Sequence, residues 1–193
     1  MATACLKNQG NLPVRLMFQD EARFGRMSDP RACWAPAPNR PMVNRAIIRE
    51  FRYEYAAVSP WDGDLDYMTL EKMNTENMGL FLKQVSESHK QDFIIMVLDG
   101  APSHKGKELE VPENIALVFL PSYSPELNPA EQLWKVLRRD YFANKVFDSL
   151  NAATHQAENG LACMASNSEA LKSLTNWSWI SVIVFQPKVN GQV

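Results

Sequence analysis

The stretch from Leu120 to Trp134 reads LPSYSPELNPAEQLW, and its two halves predict different structures. The first half is rich in proline and serine and predicts a loop. The second half, from Asn128 to Glu131, predicts a helix start, because asparagine caps, proline suits the first turn and a glutamate follows three residues after the cap. The apolar spacing predicts that this helix continues to about Asn144. Its predicted core-facing residues are Ala130, Leu133, Trp134, Leu137 and Tyr141.

Three apolar runs elsewhere in the chain predict buried strands, and two of them lead into an aspartate. The runs are Val14–Phe18, Phe93–Leu98 and Ile115–Leu120. Asp20 and Asp99 follow the first and second runs. Because ligands of open α/β sheets bind beyond the carboxyl ends of the strands, we expect both carboxylates to face one crevice. Glu131, in the first turn of its helix, is expected to overhang the same crevice.

The remaining segments complete one mixed α/β domain. Residues 25–45 predict a long loop or irregular arm, and the apolar segment 177–185 has no predicted place in the fold. The predicted elements are a hairpin of Ile47–Val58 and Leu65–Leu70, a helix from about Asn74 to Lys90, and a helical tail over 148–175. The predicted divisions are a short N-terminal extension (1–13), a core (14–147) and a C-terminal helical segment and tail (148–193) of the same domain.

Three carboxylates in one crevice repel one another unless cations are present. Hard oxygen donors with open coordination positions suit Mg²⁺ or Mn²⁺, and a pair of such ions assists phosphodiester chemistry. A structural interpretation stays open for each residue. Asp20 and Asp99 also suit turns, and Glu131 also suits a capping box at the start of its helix.

Charge gives no sign of a nucleic-acid partner over the whole chain, since 20 Lys+Arg stand against 22 Asp+Glu and the net charge is -2. DNA contacts are therefore expected from local clusters, although such clusters are often only solvated faces. One cluster follows Asp20 and a second is predicted on the outer side of the Glu131 helix. The clusters are Arg23 with Arg26, and Lys135 with Arg138 and Arg139.

The three cysteines are far apart and show no C-x-x-C pairing, which indicates free thiols rather than a disulfide framework or a zinc site. The N-terminus lacks the apolar run of a signal peptide, and no stretch approaches the length of a membrane span. A soluble cytoplasmic protein is expected, associated with the nucleoid if it acts on DNA in a prokaryote.

Three blocks of sequence, in this order, resemble the catalytic core of mariner-like bacterial insertion-sequence transposases. They are FQDEARFG (18–25), VLDGAPSH (97–104) and LPSYSPELNPAEQLW (120–134). This family lies within the DDE, ribonuclease-H-like and retroviral-integrase superfamily. The resemblance implies a five-stranded mixed sheet whose first three strands are antiparallel. It also implies that Asp20, Asp99 and Glu131 bind two Mg²⁺ or Mn²⁺ ions. With these ions the enzyme is expected to cleave transposon ends and transfer the strands to target DNA.

Two departures from the family pattern stand out. Gly100 occupies a position where the family commonly has asparagine, and residues 100–130 form a slightly short segment, with the shortening near Lys105–Glu113. His104 resembles the family's histidine in this loop, and two roles are open for it: contact with a phosphate or a water, or a hydrogen bond that stabilises the loop. Glu21 is excluded from the predicted site, because strand alternation points it away from Asp20.

A different class of function also fits the sequence: a catalytically inactive, transposon-derived remnant that only binds DNA or protein. The predicted strand that leads to Asp20 begins almost at the N-terminus, which leaves no room for the helix-turn-helix domains that precede this core in the family. A separate helix-turn-helix domain or an upstream reading frame is therefore an expected partner, together with DNA and a second copy of the chain in a homodimer.

Overall fold

The computed structural model describes residues 8, 12–106 and 108–180. The apolar runs of the sequence form one five-stranded sheet in the order β3-β2-β1-β4-β5. The strands are β1 (Val14–Met27), β2 (Ile47–Val58), β3 (Leu65–Leu70), β4 (Phe93–Leu98) and β5 (Ile115–Phe119). The β1–β2 and β2–β3 pairs are antiparallel, and the β1–β4 and β4–β5 pairs are parallel. The predicted mixed sheet with three antiparallel strands at its start is confirmed.

The central strand β1 is much longer than the apolar run predicted, with 14 residues. Its parallel pairing with β4 ends at Phe18 opposite Val97. Beyond that point β2 alone keeps β1 extended, pairing it as far as Met27. Asp20 therefore lies in the middle of a strand, and the prediction that the strand ends there is wrong. It nevertheless lies just past the carboxyl end of β4, where Asp99 follows Leu98 directly.

Helices cover both faces of the sheet, and the sheet separates the hydrophobic core into two clusters. On one face, helix α1 (Thr75–Ser88) buries Met78, Phe81, Leu82 and Val85 against the strands. Asn74 caps this helix by accepting a hydrogen bond from the backbone N–H of Asn77 at 2.9 Å. The prediction of a helix from 74 to 90 is confirmed to within two residues.

The second face carries the helices that the structure describes after residue 128. Helix α2 (Glu131–Val136) changes without a break into a π-helical segment (Leu137–Phe142). The helix predicted from Asn128 to about Asn144 is therefore observed over residues 131–142, with a π-helical second half that the apolar spacing did not indicate. The predicted helical tail is two helices, α3 (Leu150–Ala165) and α4 (Ser168–Thr175). All of them share a hydrophobic cluster with β1, β2 and β4.

The connecting segments differ modestly from the prediction. The predicted loop over 25–45 begins later, because β1 continues to Met27, and its described form runs to residue 46. Of the described residues between β4 and β5, only Pro102–His104 are helical, in one 3₁₀ turn, in keeping with the short segment in the sequence. Within 177–185, Trp179 packs edge-on against Phe18 with ring centroids 6.2 Å apart, and 181–185 lie outside the described residues. Among the described residues, no helix is both long and apolar enough to cross a membrane.

Candidate functional site

A cleft of about 370 Å³ lies beyond the carboxyl end of β4, and Asp20, Asp99 and Glu131 all line it. The proline-rich loop 120–125 forms the opposite wall. Tyr123, at the tip of that loop, is fully exposed and has a positive φ of 59°, which is uncommon for a residue other than glycine. The structure thus brings together the three acidic residues that the sequence predicted for one crevice.

Asp20 is more buried than Asp99. Its Oδ2 accepts a hydrogen bond of 2.8 Å from the indole Nε1–H of Trp134. Burial raises the pKa of Asp20 to about 7, and the negative charges of Glu131 and Glu21 add to the rise, whereas the Trp134 hydrogen bond opposes it. Negative charge is therefore held in this part of the cleft at a cost, which a cation in the cleft would offset.

Asp99 is more open, with 58% of its side chain exposed, yet one of its oxygens is held in place. Its Oδ1 accepts a hydrogen bond from the backbone N–H of Ala101 at 2.9 Å and lies 2.8 Å from Nδ1 of His104. This local bond to the residue two positions later is the turn role that the sequence left open for Asp99. The same side chain also faces the cleft, so the two interpretations coexist.

His104 connects Asp99 to Glu21. The ring is almost completely buried, and its Nε2 lies 2.8 Å from Oε1 of Glu21. Burial disfavours the charged ring, but the hydrogen bond and the negative charge of Glu21, together with Asp99, raise the pKa of His104 above its usual value. A ring engaged at both nitrogens in this way favours the loop-stabilising role over direct contact with a phosphate.

Glu21 does point to the opposite face of β1 from Asp20, as alternation predicts. Glu21 does not line the cleft, but its contact with His104 links it indirectly to Asp99.

Glu131 begins helix α2, and Asn128 fixes where that helix starts. The Asn128 side-chain amide donates a hydrogen bond to the backbone carbonyl of Gln19 at 2.9 Å, and its Oδ1 accepts one from the N–H of Ala130 at 3.2 Å. The first bond ties the helix start to the strand position beside Asp20. Three residues after Glu131 on the same helix comes Trp134, so one turn supplies an acidic wall of the cleft and the donor that holds Asp20.

The donor set of the cleft suits a divalent cation by its chemistry. Three carboxylates provide hard oxygen ligands, and the pKa of Asp20 is raised by burial first and by the neighbouring negative charges second. Over the ranges that the structure describes, no three His, Cys, Asp or Glu side chains already converge closely enough to hold a metal ion. The three carboxylates are therefore suitable ligands that line the same cleft, and their side chains must move closer together to coordinate one ion.

The predicted basic clusters separate into different environments. Lys135 and Arg139 are exposed, and Arg139 pairs with Asp140 at 2.6 Å. Arg26 pairs with Glu50 at 3.1 Å. Arg138 corrects the prediction of an outer position, because it is half-buried with its guanidinium 4.6 Å from the centre of the Phe24 ring.

Sequence patterns missed two contributors to this site. Helical spacing placed Trp134 on the buried face correctly, but it gave no sign that the indole N–H reaches Asp20. Alternation gave the direction of Glu21 but not its partner, which comes from a loop 83 residues later. The only sequence signal for either residue is its position within the blocks that surround the acidic residues.

Comparison with known proteins agrees with this fold. Residues 15–154 match the family model described as DDE superfamily endonuclease. The uncharacterized protein y4pE/y4sA of Sinorhizobium fredii (strain NBRC 101917 / NGR234) is 36% identical over 105 residues, which are 53% of this chain and 78% of that protein.

Solved structures of similar fold include the Mos1 mariner paired-end complex with Mn, with a TM-score of 0.60 and 16% identity over 86% of this chain and 55% of that chain. The Mos1 transposase paired-end complex with left transposon end has a TM-score of 0.55 and 14% sequence identity, and the match covers 91% of this chain and 60% of that chain. The chain thus spans less than two thirds of the Mos1 chains, and identities this low establish a shared fold. The family match covers most of the chain and includes all three carboxylates of the cleft, so the chain belongs to the DDE superfamily endonucleases.

Proposed function

We propose that this chain is the catalytic domain of a DNA transposase that cuts phosphodiester bonds at transposon ends and transfers the freed strands to target DNA. The observation that carries the proposal is the position of Asp20, Asp99 and Glu131 on the walls of one cleft. Further support comes from the fold, which is shared with Mos1 complexes whose names include transposon ends and Mn.

Asp20, Asp99 and Glu131 are the proposed metal ligands and catalytic residues. Two Mg²⁺ or Mn²⁺ ions bound by them supply neutralisation of the phosphate and activation of the attacking oxygen. The chain's other residues then act by positioning. Trp134 fixes one oxygen of Asp20, and His104 holds the loop that carries Asp99. Such preorganisation matters because ligands held in place lose less freedom when the substrate binds.

The proposed substrate and partners follow from this assignment. Transposon ends and target DNA are bound mainly through the backbone, with Arg23, Lys135, Arg138 and Arg139 as proposed contacts. A separate helix-turn-helix domain or upstream frame recognises the ends, a second copy completes a homodimer, and the assembly works at the nucleoid in the cytoplasm. The helices after residue 147 are proposed to belong to the catalytic domain, since their buried side chains share its hydrophobic cluster.

A nicking assay with isosteric variants tests the proposal. Supercoiled DNA is incubated with the parent chain and with Asp20→Asn, Asp99→Asn and Glu131→Gln in Mg²⁺, Mn²⁺ or chelator. We expect metal-dependent nicking by the parent and a loss of about 100-fold or more in each variant, because every ligand is needed to hold the ions. Glu126→Gln is the matched control, an exposed glutamate outside the cleft lining, and it should nick like the parent. Parent-like nicking by any folded variant of the three would refute the assignment.

The inactive remnant remains a second candidate, and one observation favours it. In the part of the chain that the structure describes, the acidic side chains do not already form a metal site, and Oδ1 of Asp99 is engaged by Ala101 and His104. Calorimetric titration with Mn²⁺ discriminates the two functions. A chain that binds DNA but neither binds Mn²⁺ nor nicks is the remnant, whereas saturable Mn²⁺ binding that Asp99→Asn weakens supports the enzyme.

A further inference from the structure

A second cleft, of about 440 Å³, opens beside the far half of β1, and three arginines line it. Arg23 comes from β1, Arg31 from the loop that follows β1, and Arg138 from the π-helical segment. We call this the arginine cleft. Asp29 is the one carboxylate in its lining, so the cleft has a surplus of positive charge.

Two of these arginines are positioned by aromatic rings instead of carboxylates. The guanidinium of Arg138 lies 4.6 Å from the centre of the Phe24 ring, and that of Arg23 lies 5.0 Å from the centre of the Phe51 ring. Within the described residues neither forms an ion pair, whereas Arg31 pairs with Asp29 at 2.9 Å. Stacking on a ring holds a guanidinium flat and leaves its N–H edge available to a ligand with paired oxygens.

The arrangement carries a cost that an anion would remove. Burial lowers the pKa of Arg138, and the like charges of Arg31 and Arg23 lower it further, although Asp29 and Glu131 oppose them. The other partly buried arginines of the chain avoid this cost by pairing with acids, as Arg15 does with Asp92 and Arg26 with Glu50. The arginine cleft is therefore suited to an oxyanion that binds from outside the chain.

The same two elements connect the arginine cleft to the acidic cleft. Along β1, Arg23 follows Asp20 by three residues, which corresponds to roughly 10 Å of strand. Along the helix, Arg138 follows Glu131 by seven residues, which again corresponds to roughly 10 Å. At a rise of about 3.4 Å per nucleotide, that separation equals on the order of two or three nucleotides of duplex DNA.

We propose that the arginine cleft binds a backbone phosphate of the DNA whose cleavage is proposed for the acidic cleft, two or three nucleotides from the cut bond. The inference rests on the proposed function and adds a second anchoring point to it. Two fixed points along a strand set which bond enters the acidic cleft, whereas one fixed point leaves the strand free to slide. The cleft therefore governs the register of the DNA and contributes no reacting group.

Binding measurements without metal test the arginine cleft independently of cleavage. The full chain and its Arg138→Gln variant are titrated with a short DNA duplex across a salt series in chelator. We expect Arg138→Gln to bind about 10-fold more weakly at low salt and to lower the slope of log affinity against log salt by about one, the value for one lost phosphate contact. Arg52→Gln is the matched control, a partly exposed arginine that pairs with Glu71 and does not line either cleft, and it should keep the parent's slope.

A scan with methylphosphonates, which replace one charged phosphate at a time with a neutral one, locates the contact. The parent should lose affinity at one position two or three nucleotides from the nick, and Arg138→Gln should lose nothing more at that position. Equal slopes for Arg138→Gln and parent, or equal sensitivity at every phosphate, would overturn the inference. If the proposed function fails, the parent chain never nicks DNA in Mg²⁺ or Mn²⁺. The salt series in chelator needs no cleavage, so it still decides whether the arginine cleft binds a phosphate.

Discussion

Trp134 has a single hydrogen-bond donor, the indole N–H, and it donates this to Oδ2 of Asp20 at 2.8 Å. The ring itself is buried and packs against Phe24, with ring centroids 6.0 Å apart. The side chain thus combines two functions that a substitution can separate, the filling of core volume and the orientation of a carboxylate. Outer partners of this kind commonly tune a ligand without contacting the ion.

Trp134→Phe removes the donor and keeps an aromatic ring in the core. We expect the affinity for Mn²⁺ to fall by about 10-fold, because Asp20 loses the bond that fixes one of its oxygens. Isothermal titration calorimetry of the full chain measures this directly, with Trp61→Phe in the β2–β3 turn as the control. A variant with a lowered melting temperature but unchanged Mn²⁺ affinity would show that the indole serves only in packing.

At the residue scale, sequence patterns predicted which acidic residues line the cleft but did not predict which side chains hold them in place. Asp20 and Asp99 follow apolar runs, Glu131 follows a recognisable helix start, and all three line the cleft. Their partners Trp134 and Glu21 are recognisable only from three-dimensional contacts. A period of 3.6 or 2 residues gives the face of an element and leaves open which polar atom on the other side lies within 3 Å of it.

At the element scale, β1 shows where pattern reading fails. Its first residues are apolar except for Arg15 and were predicted as a strand. The part from Gln19 onward mixes apolar residues with polar and charged ones and was not predicted as a strand. That part is extended because β2 pairs with it on one side, a contact between segments about 30 residues apart in the chain. Its continuation carries Arg23 to the arginine cleft, so the missed half of the strand connects the two clefts.

The change from α-helix to π-helix after Val136 also has no sequence signal, and its packing depends on a glycine of α3. A Cβ added at Gly160 would lie 2.3 Å from Cδ1 of Leu137 and 3.0 Å from Cγ of Tyr141. The missing side chain therefore allows α3 to approach the π-helical segment closely. Because π-helical turns occur often at functional sites, this contact supports the position of Arg138 in the same segment.

Gly160→Ala should lower the free energy of unfolding by about 1–3 kcal/mol, the usual cost of forcing extra volume into a packed core, even though alanine is the better helix former. Urea denaturation of the two chains provides the measurement.

Gly79→Ala offers an internal comparison in α1, since its added Cβ would meet only Cδ1 of Leu109 at an ordinary 4.0 Å. That change should stabilise the protein by up to about 1 kcal/mol. Stabilisation of similar size at both glycines would mean that α3 is free to move away from the π-helical segment.

On the scale of the whole molecule, one buried acid links global stability to pH. Glu54 lies fully buried on β2, where its Oε2 accepts a hydrogen bond of 2.6 Å from Thr69 and its Oε1 has no partner within the described residues. Burial raises the pKa of Glu54 from 4.5 to about 7; the Thr69 bond opposes the rise and the charge of Glu158 adds to it.

The folded pKa of Glu54 lies above its unfolded value, so its favourable contribution is complete below pH 4.5 and is lost as pH rises to about 7. Glu54→Gln removes this loss. We expect the variant to gain about 2 kcal/mol of stability relative to the parent between pH 4.5 and pH 8, measured by urea unfolding at a series of pH values. Glu87→Gln, an exposed acid on α1, should show no such trend. A constant difference across the series would mean that folding does not raise the pKa of Glu54.

The net charge of the whole chain does not reveal how its charged residues are distributed over the surface. A net charge of -2 suggested no affinity for DNA, yet an acidic cleft and an arginine cleft lie along the same strand and helix. The net charge of the whole chain adds the negative charge of one cleft to the positive charge of the other, so the two cancel in the total. The fold separates them by roughly 10 Å along the strand and the helix, slightly more than the screening length of about 8 Å at physiological salt, so the charge of one cleft is only partly screened from a ligand bound in the other.

The hydrogen bond between Trp134 and Asp20 also makes the absorbance of one tryptophan depend on the charge at the Asp20 carboxylate. The electronic transitions of an indole depend on what its N–H donates to, so a change in charge at the Asp20 carboxylate alters the near-ultraviolet spectrum of that one tryptophan. Subtracting the spectrum of Trp134→Phe removes the contribution of the other four of the five tryptophans. Arrival of an ion or a phosphate at Asp20 then becomes visible in real time, with no attached dye and no dependence on turnover.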